Sequence, residues 1–111
     1  MTAEQQTQLD QQGRLAERRH LLVSVKVRRP GEPWFVSRVA DMSVTGFRLQ
    51  SFMKLIVGSY LWIMLPGFEA RRAQILWTRA HESGCAFEHP LHPAILDHVV
   101  RLSEDRPTQE L

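Results

Sequence analysis

The sequence predicts an all-β domain completed by one C-terminal helix. Between Leu21 and Arg28 an apolar residue occupies every second position, a period of two that is typical of a half-buried strand. Turn-forming residues divide the sequence that follows into short segments of strand length. After Pro93, apolar residues recur at helical spacing. Several short strands separated by turns indicate a small antiparallel barrel or sandwich.

Six strands are predicted in chain order, beginning with the alternating segment Leu21 to Arg28. Pro30-Gly31-Glu32-Pro33 ends this strand because proline and glycine favour tight turns. Two further turns are predicted at Pro66-Gly67 and Ser83-Gly84. The remaining strands are predicted at 34–40, 46–50, 60–65, 69–79 and 85–88.

The predicted helix begins at Pro93, a residue that suits the first turn of a helix. Its apolar positions lie on one face, which we expect to pack on the strands. We therefore expect a flexible polar arm at 1–13, one folded domain at 14–103 and a short polar tail at 104–111. The apolar face consists of Ile95, Leu96, Val99, Val100 and Leu102.

Length and composition narrow the class of protein. A chain of 111 residues is the size of one domain, so we expect a stand-alone module without an output enzyme. Hydrophobic residues make up 43%, and the net charge of +2 does not suit a general polyanion binder. The single cysteine, Cys85, excludes an internal disulfide. With no signal peptide or long apolar run, we expect a cytoplasmic protein without membrane insertion.

A split motif carries the chemistry that the sequence suggests. Arg14-Leu-Ala-Glu-Arg18 is followed, after the 22 residues from 19 to 40, by Asp41-Met-Ser43-Val-Thr-Gly46. Arginine side chains bind phosphates or the O6/N7 edge of guanine in bidentate fashion. An aspartate accepts hydrogen bonds from the N1 and N2 donors of guanine. These residue types together suit a guanine nucleotide.

The order and spacing RxxxR, then DxSxxG, resemble the signature of the PilZ domain, a bacterial receptor module for the second messenger cyclic di-GMP. The resemblance covers roughly residues 14 to 102. It implies a six-stranded antiparallel β-barrel with the helix packed on it, cyclic di-GMP as the ligand, and no cofactor. The ligand-binding residues that it implies are Arg14, Arg18, Asp41, Ser43 and Gly46.

Two further residues are candidates for the ligand site. Arg19 adjoins Arg18 and offers an additional phosphate contact, while Trp77 is the best candidate for a ring bordering the ligand. Many PilZ domains carry another arginine directly before RxxxR, where this chain has Gly13. Whether one ligand molecule or a stacked pair binds therefore stays open.

Each part of the motif also has a purely structural interpretation. The two arginines suit the solvated face of a helix, four residues apart. Asp41 and Ser43 suit a turn, because their side chains bond to neighbouring backbone groups. Gly46 suits the same turn because glycine permits a positive φ. The joint spacing favours the ligand-binding interpretation.

Metal binding and catalysis are not expected. His81, Cys85, His89 and His92 resemble a zinc pattern, but in an extended strand the first and third would lie about 26 Å apart. Cys85 instead shares the parity of Phe87, as expected of two inward-facing side chains. No nucleophile motif surrounds Ser43, so the protein is not expected to be an enzyme.

The resulting hypothesis is a receptor or adaptor whose N-terminal arginine arm orders over cyclic di-GMP and presents a changed surface to an unidentified partner protein. One alternative is a PilZ-like adaptor that does not bind nucleotide. Another is a small barrel for single-stranded nucleic acid, with Trp34, Trp62 or Trp77 stacking on bases. The low net charge argues against nucleic acid, and Trp62 is expected in the core.

Overall fold

The computed structural model describes residues 18–105. The predicted arm 1–13, the motif residue Arg14 and the end of the tail therefore lie outside the described residues. Within the described range, the chain forms six strands followed by a helix. They are β1 (Arg19–Arg28), β2 (Phe35–Met42), β3 (Gly46–Gln50), β4 (Tyr60–Met64), β5 (Arg71–Arg79), β6 (Glu82–Phe87) and α1 (Pro93–Asp105).

The six strands form a closed antiparallel barrel in the order β1-β2-β3-β6-β5-β4. Pairing of β4 with β1, through Lys26 opposite Met64 and Val27 opposite Ile63, closes the sheet. Closure leaves no strand of this barrel with an unpaired edge. The predicted fold, a six-stranded β-barrel with one C-terminal helix, is confirmed.

Apolar side chains from every strand fill the barrel. In β1 the inward residues are Val23, Val25 and Val27, as the alternation predicts. In β4 the inward positions belong to Leu61 and Ile63. The residue between them faces the other side because successive side chains of a strand alternate. Trp62 is therefore half-buried on the outer face rather than in the predicted core position.

The helix α1 lies on the barrel with most of its predicted apolar face buried. Leu96, Val99 and Val100 join the same core as the strands. Leu102, predicted on this face, is exposed, and Ser103 approaches β1 instead. The Ser103 hydroxyl accepts a hydrogen bond from the backbone N–H of Leu22 at 3.2 Å. No helix in residues 18–105 has both the length and the apolar character needed to cross a membrane.

The turn between β5 and β6 differs from the prediction. Ser83 and Gly84, predicted as a turn, lie within β6, and the chain reverses at Ala80 and His81. Ala80 adopts a φ of 52° there. A Cβ added at Gly84 would overlap the indole ring of Trp77. Gly84 therefore allows the ring to lie across the strand, which is a reason for glycine other than a turn.

At two bulges, the side chains that follow change from one side of the sheet to the other. The ladder between β2 and β3 shifts register between Val39 and Asp41, and the ladder between β5 and β6 shifts between Ile75 and Trp77. Val39 and Ile75 point into the barrel. Because a bulge inserts one residue into a strand, the side chains beyond it change sides. Asp41 and Trp77 consequently belong to the outer surface.

Candidate functional site

The second half of the motif forms the turn between β2 and β3. The backbone N–H of Ser43 donates to the carbonyl of Gly46 at 2.8 Å. The Ser43 hydroxyl accepts from the backbone N–H of Thr45 at 3.2 Å and lies 3.0 Å from the Thr45 hydroxyl. Such short-range bonds favour a turn conformation. The buried Ser43 side chain therefore shapes the turn.

Gly46 is required for close packing rather than for an unusual backbone angle. Its φ is not among the positive glycine angles, which in the described residues belong to Gly31, Gly58 and Gly67. A Cβ added at Gly46 would overlap the backbone carbonyl oxygen of Cys85 on β6. The positive φ that glycine permits in a turn is therefore not used at this position. The glycine instead lets the start of β3 approach β6.

The end of β6 and the segment that follows it hold the same turn from its other side. The backbone N–H of Phe87 donates to the carbonyl of Thr45 at 2.9 Å, and that of Leu91 donates to the carbonyl of Val44 at 2.7 Å. Backbone groups of the turn are thus paired with a third part of the chain. The turn is fixed before any ligand contacts it.

An ion pair joins the two halves of the motif. An Nη of Arg18 donates to Oδ1 of Asp41 at 2.6 Å, although the residues are 23 positions apart in sequence. The structure places Arg18 directly before β1, and β1 pairs with β2 at His20 and Asp41. This pairing brings Arg18, the described residue of the first half of the motif, next to Asp41 in the second half.

A second arginine completes the surroundings of Asp41. Nε of Arg48 donates to Oδ2 of Asp41 at 2.8 Å, and an Nη of Arg48 donates to Glu82. The hydrogen bond to Asp41 raises the pKa of the Arg48 guanidinium above its ordinary value, against the opposing effect of desolvation. Arg18, Asp41, Arg48 and Glu82 thus form an ion-pair chain of alternating charge on the outer face of the barrel.

Sequence reasoning did not select Arg48 or Glu82 as site residues. Asp41 and Arg48 are direct cross-strand partners in the hairpin, as are Gln50 and Glu82 on the next pair of strands. Once residues 43–46 are taken as the turn, counting outward from it places Asp41 opposite Arg48. The register of the hairpin was therefore the available signal.

The two remaining candidates, Arg19 and Trp77, contact other parts of the molecule. Arg19 pairs with Asp97 of α1 at 3.2 Å, so its guanidinium faces the helix. Trp77 lies opposite Gly84, which lies opposite Arg48, so β6 separates the tryptophan from Arg48. The indole also carries the guanidinium of Arg79, 5.7 Å above its ring.

The arrangement is suited to an anionic, hydrogen-bonding ligand. The Asp41 side chain is only 6% exposed, whereas that of Arg18 is 38% exposed. A guanidinium presents five N–H donors, and a carboxylate has about four acceptor positions, so one contact does not exhaust either group. A fixed carboxylate thus holds a partly exposed arginine at the surface, where it is positioned for a phosphate or guanine.

Comparisons with known proteins agree with this description. The sequence model of the PilZ domain matches residues 12–105. Among solved structures, the chain is similar to the crystal structure of the PilZ domain of CeSA from a cellulose-synthesizing bacterium, with a TM-score of 0.56 and 17% identity. That similarity covers 80% of this chain and 96% of the other and concerns the fold. The comparison with curated proteins found no significant match.

Proposed function

Because the chain belongs to the PilZ domain family, we propose that it is a receptor for cyclic di-GMP and that Arg18, Asp41 and Arg48 lie at its binding site. The family is in general one of cyclic di-GMP receptors. The observation that supports this proposal most is the ion pair of 2.6 Å between Arg18 and Asp41, which unites the two separated motif segments.

In the proposed mode of binding, Asp41 has two tasks. It orients the Arg18 guanidinium, and its remaining acceptor positions receive the N1 and N2 donors of a guanine. Arg18 then donates to a phosphate or to the O6/N7 edge of the base. Ser43 and Gly46 act by fixing the turn, since the serine hydroxyl is used within it and the glycine packs against Cys85.

Arg14 is proposed to join Arg18 on the ligand, as the RxxxR motif implies. Ordering a segment over a ligand costs about 1 to 2 kcal/mol per backbone residue fixed. Charge-assisted hydrogen bonds to phosphate are strong enough to offset part of this cost. The ordered segment would change the surface around the start of β1, and an effector protein would detect that change.

Arg48 is proposed to hold the Asp41 carboxylate in the orientation that the ligand needs. Its donors reach Asp41 and Glu82 simultaneously, and its side chain is 30% exposed. A guanidinium that bridges two carboxylates has less freedom to rotate than one with a single partner. Replacement of Arg48 by lysine would keep the charge and lose this bridging geometry.

A parallel calorimetric titration tests the proposed function. The protein is titrated with cyclic di-GMP, GMP and a single-stranded RNA at low and moderate salt concentrations. We expect saturable binding that is selective for the cyclic dinucleotide. Stronger binding of RNA with a steep salt dependence would instead indicate the nucleic-acid alternative. No binding of any of the three would favour an adaptor without nucleotide.

A further inference from the structure

A second surface feature, a groove of about 770 Å³, lies on the outer side of the barrel next to the ion-pair chain. It is bounded by β2, the segment after β3 and the β5–β6 turn. We define it as the Phe52 groove, lined among others by Val36, Arg38, Phe52, His81 and Glu82. The motif residues within 18–105 do not line it, so the nucleotide contacts proposed for them leave the groove unassigned.

Two large apolar side chains are exposed in this groove. Phe52 is 88% exposed and Val36 is 67% exposed. The Phe52 ring lies against His81 with ring centroids 4.5 Å apart and a tilt of 51°, so two rings stand together at the wall. Exposed aromatic side chains beside polar groups are typical of protein interaction sites.

The charges around the groove are predominantly uncompensated cations. Arg38 is exposed and lines the groove, and no acidic partner for it exists among residues 18–105. Lys26, the cross-strand partner of Val36, likewise has no acidic partner in the described part of the chain. The acidic residue of the groove, Glu82, is already bonded to Arg48 and lies 3.4 Å from the amide of Gln50.

We propose that the Phe52 groove is a docking site for an acidic segment of a partner protein that carries an aromatic side chain. The carboxylates of such a segment complement Arg38 and Lys26, and its ring packs against Phe52 and His81. A peptide is favoured over RNA because the groove has apolar walls and only two uncompensated cations, Arg38 in its lining and Lys26 beside it, whereas RNA binding draws on many phosphate contacts. This proposal does not rest on the proposed function.

The test uses the full chain and a capped pentapeptide, Asp-Glu-Phe-Glu-Asp, as the probe. Two-dimensional NMR follows the backbone amides during the titration. We expect shifts concentrated at residues 35–38, 50–53 and 81–82. The same peptide with alanine in place of phenylalanine should bind at least fivefold more weakly, and Lys-Lys-Phe-Lys-Lys should leave the groove unchanged.

Matched variants separate the groove from general surface effects. Phe52→Ala and Arg38→Ala should each weaken peptide binding at least fivefold. Ile56→Ala, which truncates an exposed apolar side chain outside the groove, and Arg101→Ala on α1 should not change it. The proposal is overturned by absence of groove shifts at millimolar peptide, by equal binding of the basic peptide, or by groove shifts with RNA alone. Cyclic di-GMP titration of Phe52→Ala tests the nucleotide site separately and should match the wild type.

Discussion

Asp41 has the same odd-numbered parity as Ser37 and Val39, whose side chains are buried inside the barrel, yet its carboxylate lies between two guanidinium groups on the outer face. The bulge at Ala40 accounts for this difference because it reverses the facing of the next residue. A carboxylate whose side chain is 6% exposed requires charged partners to offset its lost hydration. Arg18 donates to Oδ1 of this carboxylate, and Arg48 donates to Oδ2.

Replacing Asp41 by alanine tests the role of this carboxylate. We expect Asp41→Ala to lower cyclic di-GMP affinity at least tenfold, because Arg18 loses its anchor and a guanine loses its acceptor, while the barrel stays folded. Calorimetry measures the affinity, and circular dichroism checks the fold. Asp97→Ala on α1 removes the same charge from the partner of Arg19 and serves as the control. Undiminished affinity in Asp41→Ala would contradict the proposed contact.

Cys85 gives a pH-dependent prediction. Burial raises the pKa of its thiol from 9.0 to about 12. The unfolded chain loses this proton near pH 9, while the folded protein retains it. The contribution of the protonated thiol to the free energy of unfolding is therefore complete below pH 9 and is lost between pH 9 and about 12. We expect the free energy of unfolding to fall by up to about 1.4 kcal/mol per pH unit in this window.

Urea unfolding of the wild type and Cys85→Ala, between about pH 8 and 10.5, measures this effect. The variant is expected to be less stable at the lower pH because it loses packing, and its stability should decline less steeply as the pH rises. Parallel pH profiles for the two proteins would show that burial of the thiol does not control the decline.

The β2–β3 hairpin shows which features local sequence patterns predict and which they do not. The third strand, predicted at 46–50, is observed with those bounds, because Gly46 and the alternation after it mark both ends. The bulges at Ala40 and Leu76 were not predicted, since a period of two assumes an unbroken ladder. A bulge depends on the partner strand, whose register is absent from the local pattern. The ion pair of Arg48 with Asp41 follows from counting outward from the turn at 43–46, whereas its ion pair with Glu82 depends on the pairing of β3 with β6.

The close packing of β3 on β6 gives a prediction for Gly46. We expect Gly46→Ala to destabilise the protein by about 2 to 3 kcal/mol, because any Cβ here overlaps a carbonyl that cannot move without disturbing the ladder. Gly67→Ala, where a Cβ meets open space but φ is 87°, should cost about 1 kcal/mol from backbone strain. Thermal or urea unfolding compares the two, and a cost at Gly46 equal to or below that at Gly67 would contradict the packing argument.

Across the whole molecule, the ion-pair chain connects the start of β1 to the Phe52 groove. It passes from Arg18 through β2 and β3 to Glu82, which lines the groove. The sequence predicted the barrel, the helix and the family, because alternation, turn residues and motif order are local or linear signals. It did not predict the groove, which arises from three segments that only the closed barrel brings together.

Because of this connection, we expect ligand binding at Asp41 to affect the Phe52 groove. Saturation with cyclic di-GMP should shift the NMR resonances of the Gln50, Phe52 and Glu82 amides, because a ligand on Asp41 alters the partners of Arg48. Glu82→Gln should reduce these shifts at Phe52 without reducing nucleotide affinity more than about threefold. Wild-type shifts that stop at Asp41 and Arg48 would show that the ion-pair chain does not transmit ligand binding.

The central claim, that Arg18 forms a specific clamp for cyclic di-GMP with Asp41, is tested most directly by calorimetry on two matched variants. Arg18→Ala should weaken binding by about 1.5 to 3 kcal/mol, or roughly tenfold to a hundredfold, and Arg18→Lys should restore only part of it. Arg28→Ala removes the same charge at the far end of β1, where the guanidinium lies over Trp34, and should leave affinity unchanged. Equal weakening in Arg18→Ala and Arg28→Ala would mean that the arginines act as diffuse charge and would contradict the account.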